Sequence, residues 1–130
     1  MTRIKMIATD VDGTFLNQKR HYNQTRFARQ LTALEAAGIH FVVASGNHLG
    51  HLHRVFAPTP AVQTFVAENG GLIVDHGQTL FEDIIPTPTV HQIVADILAD
   101  DTLRPQVLRL SGAHGTYINR HDHPSDPMSQ

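Results

Sequence analysis

Apolar and polar positions follow one another along the chain in blocks that predict alternating strands and helices. Residues 39–44 are apolar nearly throughout, and residues 3–9 carry the apolar centre Met6-Ile7-Ala8, so both are predicted as short buried strands that are covered on both faces of a sheet. Between them, residues 24–37 carry apolar side chains at helical spacing, with Asn23 placed to cap the helix and Gly38 placed to end it. This succession predicts a βαβ unit, and therefore an α/β protein with a parallel sheet.

The alternation of predicted strands and helices continues along the chain, and the pattern changes near Pro86. The remaining predicted elements are, in order, a helix opened by Ser45-Gly46-Asn47, a strand over residues 64–67, a hairpin over residues 72–75 and 79–82, a helix over residues 88–99, and paired strands over residues 106–110 and 116–119. We therefore expect two parts, residues 1–85 and residues 86–130, the second of which ends in a polar tail.

Composition narrows the class of protein. The chain has 130 residues, of which 41% are apolar and 17% charged, with a formal net charge of -2, as in ordinary globular domains. Without a basic excess there is no reason to expect nucleic-acid binding, and without cysteine there is neither a disulfide nor a thiolate metal site. The sequence offers no membrane-length apolar run and no signal peptide, so we predict a cytoplasmic location without membrane contact.

Two aspartates follow the first predicted strand, in the segment "DVDGT". One interpretation is that Asp10 and Asp12 only stabilise an Asp-Gly turn. A calcium-binding EF-hand is another, but it requires glycine and glutamate at two loop positions where this chain has Phe15 and His21. The sequence therefore argues against a calcium loop and leaves open a simple turn or a site built at the end of a strand.

The place of these aspartates in the predicted sheet favours phosphoryl chemistry. Ligands of open α/β sheets bind beyond the carboxyl ends of the strands, where both Asp10 and the segment Ser45-Gly46 fall. The backbone N–H groups and the hydroxyl of that segment suit a phosphate group, and a divalent cation would offset the two carboxylates. We therefore predict that a carboxylate nucleophile and a phosphate-binding loop converge from one βαβ unit.

Three segments, "DVDGT", "AAGIHFVVASGN" and "VAENGGLIVDHG", occur in this order and resemble the first part of Cof-type phosphatases of the haloacid dehalogenase-like (HAD) superfamily. The resemblance runs from about residue 4 to about residue 118. It implies a partial HAD-like (Rossmannoid) parallel core in residues 1–85 and the beginning of an α/β cap in residues 86–130. The implied activity is Mg²⁺-dependent hydrolysis of a small phosphorylated metabolite through an aspartyl-phosphate.

The resemblance also implies roles for individual residues. Asp10 would be the nucleophile, and Asp12 the general acid that afterwards activates water. The carboxylate of Asp10 and the backbone carbonyl of Asp12 would hold Mg²⁺. Phosphate would be bound by Ser45, Gly46 and Asn47, although many relatives have arginine at the last position. Residues expected close to the site are Gly13, Thr14, Asn69 and Gly70.

Two later motifs of that superfamily find no match. The third motif brings a lysine, but the chain has lysine only at positions 5 and 19. The fourth is usually GDxxxD, and Asp122 and Asp126 share only its spacing. We therefore expect a truncated chain that is inactive alone. The alternative is a non-catalytic remnant that folds and binds phosphate or a protein partner.

Truncation has a consequence for assembly. In this fold the first strand is central, so a chain that holds only the first half leaves one edge of that strand uncovered. Unpaired backbone groups beside apolar side chains recruit another strand. We expect a homodimer formed through this edge, because two-fold symmetry is the commonest closed arrangement.

Other polar residues are given simpler interpretations. His48 and His51 share a helical face but His53 does not, so we interpret all three as helix-surface residues rather than as metal ligands. His121 and His123 are interpreted as solvated tail residues. Glu68 is interpreted as a turn residue rather than as a catalytic carboxylate.

Overall fold

The computed structural model of the chain describes residues 4–103, 108–112 and 115–118. The chain folds into two compact units, with the boundary between Asp83 and Ile84. No helix within these described ranges is long and apolar enough to cross a membrane.

The first unit is a five-stranded sheet with two α-helices. Its elements are β1 (Met6–Thr9), α1 (Gln24–Ala36), β2 (His40–Ala44), α2 (Leu49–Phe56), β3 (Thr64–Ala67), β4 (Leu72–Asp75) and β5 (Gln78–Glu82). The strand order is β1-β2-β3-β4-β5; β1, β2 and β3 run parallel, whereas β4 and β5 pair antiparallel. The predicted α/β class and βαβ unit are therefore confirmed, and the predicted hairpin extends the same sheet to make it mixed.

Helix α1 begins and ends where its flanking residues require. The side chain of Asn23 accepts a hydrogen bond from the backbone N–H of Arg26 at 2.9 Å, which satisfies one of the free donors of the first turn. At the other end Gly38 adopts φ +66, a left-handed conformation that glycine adopts without steric cost, and the chain turns into β2. Both boundaries were predicted correctly.

The core lies where α1 and α2 pack on the sheet. Among the residues that the structure describes, its fully or nearly fully buried members include Phe27 and Leu31 of α1, Leu52 and Phe56 of α2, and Phe65 of β3. Rings of this core meet at their edges; those of Phe27 and Phe15, for example, have centroids 4.7 Å apart.

The sequence predicts a polar, glycine-containing loop over residues 10–22, and the segment after β1 differs from this prediction. Val11 and Leu16 belong to the core, with 0% and 5% of their surfaces exposed. Residues Val11–Phe15 form one wide, irregular helical turn, closed by a 2.9 Å hydrogen bond from the N–H of Leu16 to the carbonyl of Val11. The pattern failed to indicate this because single apolar residues are spaced among the two aspartates and a glycine.

Strand β1 was predicted to be buried, and that prediction is wrong. Met6 is 59% exposed and Ile4, just before the strand, is 65% exposed. The reason is the strand order: β1 lies at one end of the five-stranded sheet and pairs only with β2 among the described residues.

The second unit contains helix α3 (Thr87–Ala99) and the antiparallel pair β6 (Arg109–Gly112) and β7 (Gly115–Ile118). The predicted helix and strand pairing are confirmed. The sequence predicts Thr87 as the cap and Pro88 as the first helical residue, but Thr87 is already helical and Pro86 precedes the helix, so this prediction is wrong. The predicted tail, with Asp122, Asp126, His121 and His123, lies outside the described residues.

Candidate active site

Three chain segments follow the carboxyl ends of the three parallel strands. Because β1, β2 and β3 run in the same direction side by side, their carboxyl ends lie at one edge of the sheet. Asp10 directly follows β1, Ser45 directly follows β2, and Glu68 directly follows β3. The chemistry-bearing residues of the sequence are thus gathered at the edge where open α/β sheets bind ligands.

The aspartate turn and the segment after β2 are joined by a hydrogen bond. Nδ2 of Asn47 donates to Oδ2 of Asp12 at 2.6 Å. Within the turn itself, the hydroxyl of Thr14 donates to Oδ2 of Asp10 at a longer distance of 3.4 Å. Gly13 has φ +73, so the reversal of the chain that presents both carboxylates depends on a left-handed residue. Asp10 and Asp12 are both exposed to solvent.

A second group on Asp12 was missed by the sequence analysis. Nη2 of Arg20 lies 3.4 Å from Oδ1 of Asp12, and the two side chains are 58% and 48% exposed. Each oxygen of this carboxylate therefore faces a nitrogen from a different part of the chain. No signal in the sequence pointed to Arg20, because a single basic residue in a polar loop has no periodicity or motif to distinguish it.

The segment Ser45-Gly46-Asn47 is a turn that precedes helix α2, so the prediction that it opens the helix is wrong. The helix begins at Leu49, with His48 as its cap: Nδ1 of His48 accepts a hydrogen bond from the backbone N–H of Gly50 at 3.0 Å. Ser45 is 8% exposed. Its Oγ accepts from the backbone N–H of Asn47 at 3.1 Å, which holds the turn closed.

The turn after β3 supports the turn after β2. The backbone N–H of Glu68 donates to the carbonyl of Asn47, and that of Asn69 donates to the carbonyl of Ser45, both at 3.2 Å. Glu68, Asn69 and Gly70 have φ values of +53, +55 and +97. Left-handed conformations at two consecutive non-glycine residues are uncommon, and such strain concentrates at functional sites. Glu68 thus contributes its backbone to this turn.

One histidine lies at the border of the site, on helix α2. Nε2 of His51 is buried and has no hydrogen-bond partner in the part of the chain that the structure describes. Burial lowers the pKa of His51, and the nearby positive charges of Arg54 and Arg20 lower it further, while Asp12 opposes them. His51 therefore favours its neutral form in the folded protein.

The residues present offer a partial set of metal ligands. No group of three or more histidine or acidic side chains in the described ranges is arranged to hold a metal ion. The carboxylate of Asp10 and the backbone carbonyl of Asp12 are hard oxygen donors at the end of β1. Mg²⁺ binds proteins through one or two carboxylates and keeps waters and substrate oxygens as its other ligands. Two donors of this kind fit Mg²⁺ in chemistry, although they do not complete its shell.

The fold and this edge define an α/β protein with a carboxylate turn and a Ser-Gly turn at the carboxyl ends of parallel strands. Comparison with protein families matches residues 7–129 to the haloacid dehalogenase-like hydrolases. The chain belongs to this family, as the three sequence segments predicted.

Individual relatives agree with this assignment. The chain is 40% identical over 104 residues to a 5-amino-6-(5-phospho-D-ribitylamino)uracil phosphatase of Escherichia coli, an alignment that covers 80% of this chain and 37% of that protein. It is 35% identical over 69 residues to a phosphoglycolate phosphatase of Methanoculleus marisnigri, covering 53% and 29% of the two chains.

A solved structure confirms the HAD-like fold. The protein SMU.1108c of Streptococcus mutans superposes with a TM-score of 0.81 at 38% sequence identity, over 92% of this chain and 44% of that one. The chain therefore spans less than half the length of each of these three relatives.

Proposed function

We propose that this edge of the sheet is the phosphoryl-transfer site of a Mg²⁺-dependent phosphomonoesterase. The observation that carries the proposal is the 2.6 Å hydrogen bond between Asn47 and Asp12, which joins the carboxylate turn to the Ser-Gly turn. A nucleophile and a phosphate-binding loop must lie on neighbouring segments if they are to act on one phosphorus atom. Membership of the haloacid dehalogenase-like hydrolases supports the same chemistry.

The reaction proceeds in two steps. A carboxylate oxygen of Asp10 attacks the phosphorus atom, the bond from phosphorus to the leaving oxygen breaks, and Asp12 gives that oxygen a proton. Water then attacks the aspartyl-phosphate, Asp12 takes a proton from the water, and the bond between phosphorus and Asp10 breaks. The hydroxyl of Ser45 and the backbone N–H of Gly46 hold the phosphoryl oxygens, since the N–H groups of Ser45 and Asn47 already donate to Val66 and to Oγ of Ser45.

The proposal assigns Mg²⁺ to the end of β1. The carboxylate of Asp10 and the backbone carbonyl of Asp12 hold Mg²⁺ when it is bound, and its chemistry there is to offset the negative charge of the phosphoryl group. The hydroxyl of Thr14 donates a long hydrogen bond, at 3.4 Å, to that carboxylate. Gly13, Asn69 and Gly70 supply the left-handed backbone that the two turns require.

The substrate class follows from the relatives. The names of the Escherichia coli and Methanoculleus marisnigri proteins both describe phosphatases of small metabolites that carry one phosphate ester. We extend this class, a small phosphorylated metabolite, to the present chain. Residues 86–130 are proposed to begin the cap that selects the substrate in the family, and residues 1–85 to form part of the core.

Beryllofluoride tests the nucleophile without requiring turnover, because it binds to an aspartate as a mimic of the aspartyl-phosphate. In ¹⁹F NMR with Mg²⁺, we expect a bound signal for the natural chain and none for Asp10→Asn. Asp83→Asn, a change at an exposed carboxylate outside the site, should keep the signal. A bound signal that survives Asp10→Asn would disprove the assignment of the nucleophile.

The alternative function, a non-catalytic remnant, is favoured by one observation: the only lysines of the chain are Lys5 and Lys19. The same experiment separates the two functions. A chain that binds inorganic phosphate in ³¹P NMR but gives no Asp10-dependent beryllofluoride signal is such a remnant.

We also propose that the chain self-associates through β1. This strand lies at the end of the described sheet, and its Met6 is 59% exposed. Exposed strand edges with apolar side chains pair with other strands, and a lysine there prevents pairing. Light scattering during size exclusion should give a dimer that Met6→Lys converts to a monomer. Leu80→Lys on β5, the other end strand, is the control, since Leu80 is 64% exposed.

Two results would refute this assembly. A natural chain that elutes as a monomer at micromolar concentration would do so. A dimer that is lost with Leu80→Lys and kept with Met6→Lys would assign the contact to β5 instead.

A further inference from the structure

We infer that Arg20 is a positioning residue of this site, which holds the carboxylate of Asp12 together with Asn47. The inference rests on the proposed function, since it concerns the group proposed to transfer protons. Its geometry is independent of that function: Nη2 of Arg20 is 3.4 Å from Oδ1, and Nδ2 of Asn47 is 2.6 Å from Oδ2. With one nitrogen on each oxygen, rotation of the carboxylate in either direction loses a contact.

The loop that carries Arg20 is built around one asparagine. Oδ1 of Asn17 accepts hydrogen bonds from the backbone N–H groups of Lys19 and His21, at 2.9 and 3.0 Å. The backbone of Asn17 adds two more, donating to the carbonyl of His21 at 3.0 Å and accepting from the N–H of Arg20 at 2.8 Å. These four bonds fix the backbone of Arg20 in one place, so its guanidinium starts from a defined position.

The backbone of Arg20 is itself unusual. Its φ is +58, a left-handed value that is unfavourable for a residue with a side chain. Glycine or asparagine meets this requirement more easily. A strained residue persists where its surroundings determine its conformation, and such residues cluster at functional sites. A long cation at this turn therefore indicates that the side chain has a use, and the carboxylate of Asp12 is the contact that it makes.

A third observation places the charge of Arg20 at the site. The positive charge of Arg20 lowers the pKa of His51, on helix α2, and the negative charge of Asp12 raises it. The guanidinium of Arg20 is therefore near enough to α2 for its charge to act there, although its side chain is 58% exposed. At this place it restrains Asp12 and lowers the negative potential into which a phosphate group must move.

The experiment measures the side chain of Asp12 directly in the full chain, without Mg²⁺ or a phosphate analogue. Three-bond NMR couplings report how Asp12 divides its time among the χ1 rotamers. Arg20→Asn removes the cation and suits the left-handed backbone, so the fold is kept. Because exposed ion pairs contribute about 0.2–1 kcal/mol, the ratio of the main rotamer to the others should fall by a factor of about 1.4 to 5.

Matched variants separate positioning from a general effect on structure. Arg20→Lys keeps the charge and should recover part of the lost ratio. Arg20→Gly meets the same backbone requirement and is a second variant without the cation. Arg29→Met removes an exposed arginine of α1 and should leave Asp12 unchanged. The inference is wrong if Asp12 keeps its natural rotamer ratio in both Arg20→Asn and Arg20→Gly, or if Arg29→Met has an equal effect.

This outcome is distinct from that of the proposed function. Failure of beryllofluoride to bind at Asp10 would refute the phosphatase mechanism whatever the rotamers of Asp12. An unrestrained Asp12 in a chain that binds beryllofluoride would refute only the role of Arg20.

Discussion

Gly46 and Asn69 are packed so closely that a methyl group on Gly46 would displace the side-chain amide of Asn69. A Cβ atom placed on Gly46 would lie 2.9 Å from Oδ1 and 3.1 Å from Nδ2 of Asn69. The two residues belong to neighbouring turns, which are also joined by the backbone hydrogen bond from Asn69 to Ser45 at 3.2 Å. The contact with the turn after β3 therefore favours glycine at this position of the Ser-Gly turn.

Gly46→Ala should destabilise the protein by about 1 kcal/mol, because the new methyl group forces the amide of Asn69 out of its position. Urea unfolding measures this loss. Asn69→Gly removes the amide and also suits the left-handed backbone at φ +55. When Asn69→Gly is already present, adding Gly46→Ala should therefore lower the free energy of unfolding much less than it does in the natural chain. Additive losses would contradict the contact.

Asp75 gives a pH-dependent contribution to stability. The hydrogen bond from Thr64, at 2.6 Å, and that with His76 lower the pKa of Asp75 below its usual value of 3.8. A lowered carboxylate pKa stabilises the fold above the unfolded value and loses this effect as the pH falls through the folded value. Thr64→Val should therefore destabilise the protein at pH 7, and this loss should shrink as the pH falls from 3.8 through the lower pKa of the folded protein. Urea unfolding at both pH values measures the difference.

The control for Asp75 is Thr79→Val, a change on the neighbouring β5. Its effect on stability should be the same at both pH values. A loss at Thr64→Val that is equally large in acid would show that the hydroxyl matters for packing and not for the charge of Asp75.

His51 makes a pH-dependent contribution to stability at a higher pH than Asp75 does, near neutrality. Its pKa is lowered below 6.5, chiefly by burial, so the unfolded chain takes up a proton at a higher pH than the folded protein does. The stabilising effect is complete above pH 6.5 and is lost as the pH falls from there towards the folded value. His51→Gln should flatten this part of the stability curve between pH 7.5 and pH 5. His91→Gln, at an exposed position of α3, should leave it unchanged.

Hydrolysis of p-nitrophenyl phosphate with Mg²⁺ should stay close to the level of Asp10→Asn. Lys5 and Lys19 are both exposed, and both come before the Ser-Gly turn, whereas the resemblance implies a lysine from a later motif. Losing a group that stabilises transition-state charge typically costs about 10²–10³ in rate. Strong turnover that Asp10→Asn abolishes would show that the later motifs are dispensable or supplied by another chain.

The sequence predicted the parts of this fold that depend on local pattern. Strands β2 and β3 and helix α1 were found because apolar runs and helical spacing reflect burial directly. The capping role of Asn23 follows from its short polar side chain, and its hydrogen bond to Arg26 confirms it.

Features that depend on distant contacts were not predictable in this way. The start of α2 was placed too early because Ser45 resembles a cap, whereas the imidazole of His48 caps the helix. The exposure of β1 is a property of strand order rather than of its residues. At the site, the placement of Asp10 and Ser45 followed from strand ends, but the contact of Arg20 with Asp12 did not, since it joins two loops.

The aspartate turn is anchored at both ends, by Val11 and Leu16, which are almost fully buried. Functional loops usually open locally at little cost in free energy, before the rest of a protein unfolds. This turn cannot open without exposing core side chains, so the Leu16 amide, bonded to Val11 at 2.9 Å, should exchange hydrogen as slowly as the central strands do. The carboxylates of Asp10 and Asp12 therefore lie on a segment whose backbone should stay folded until the whole first unit unfolds.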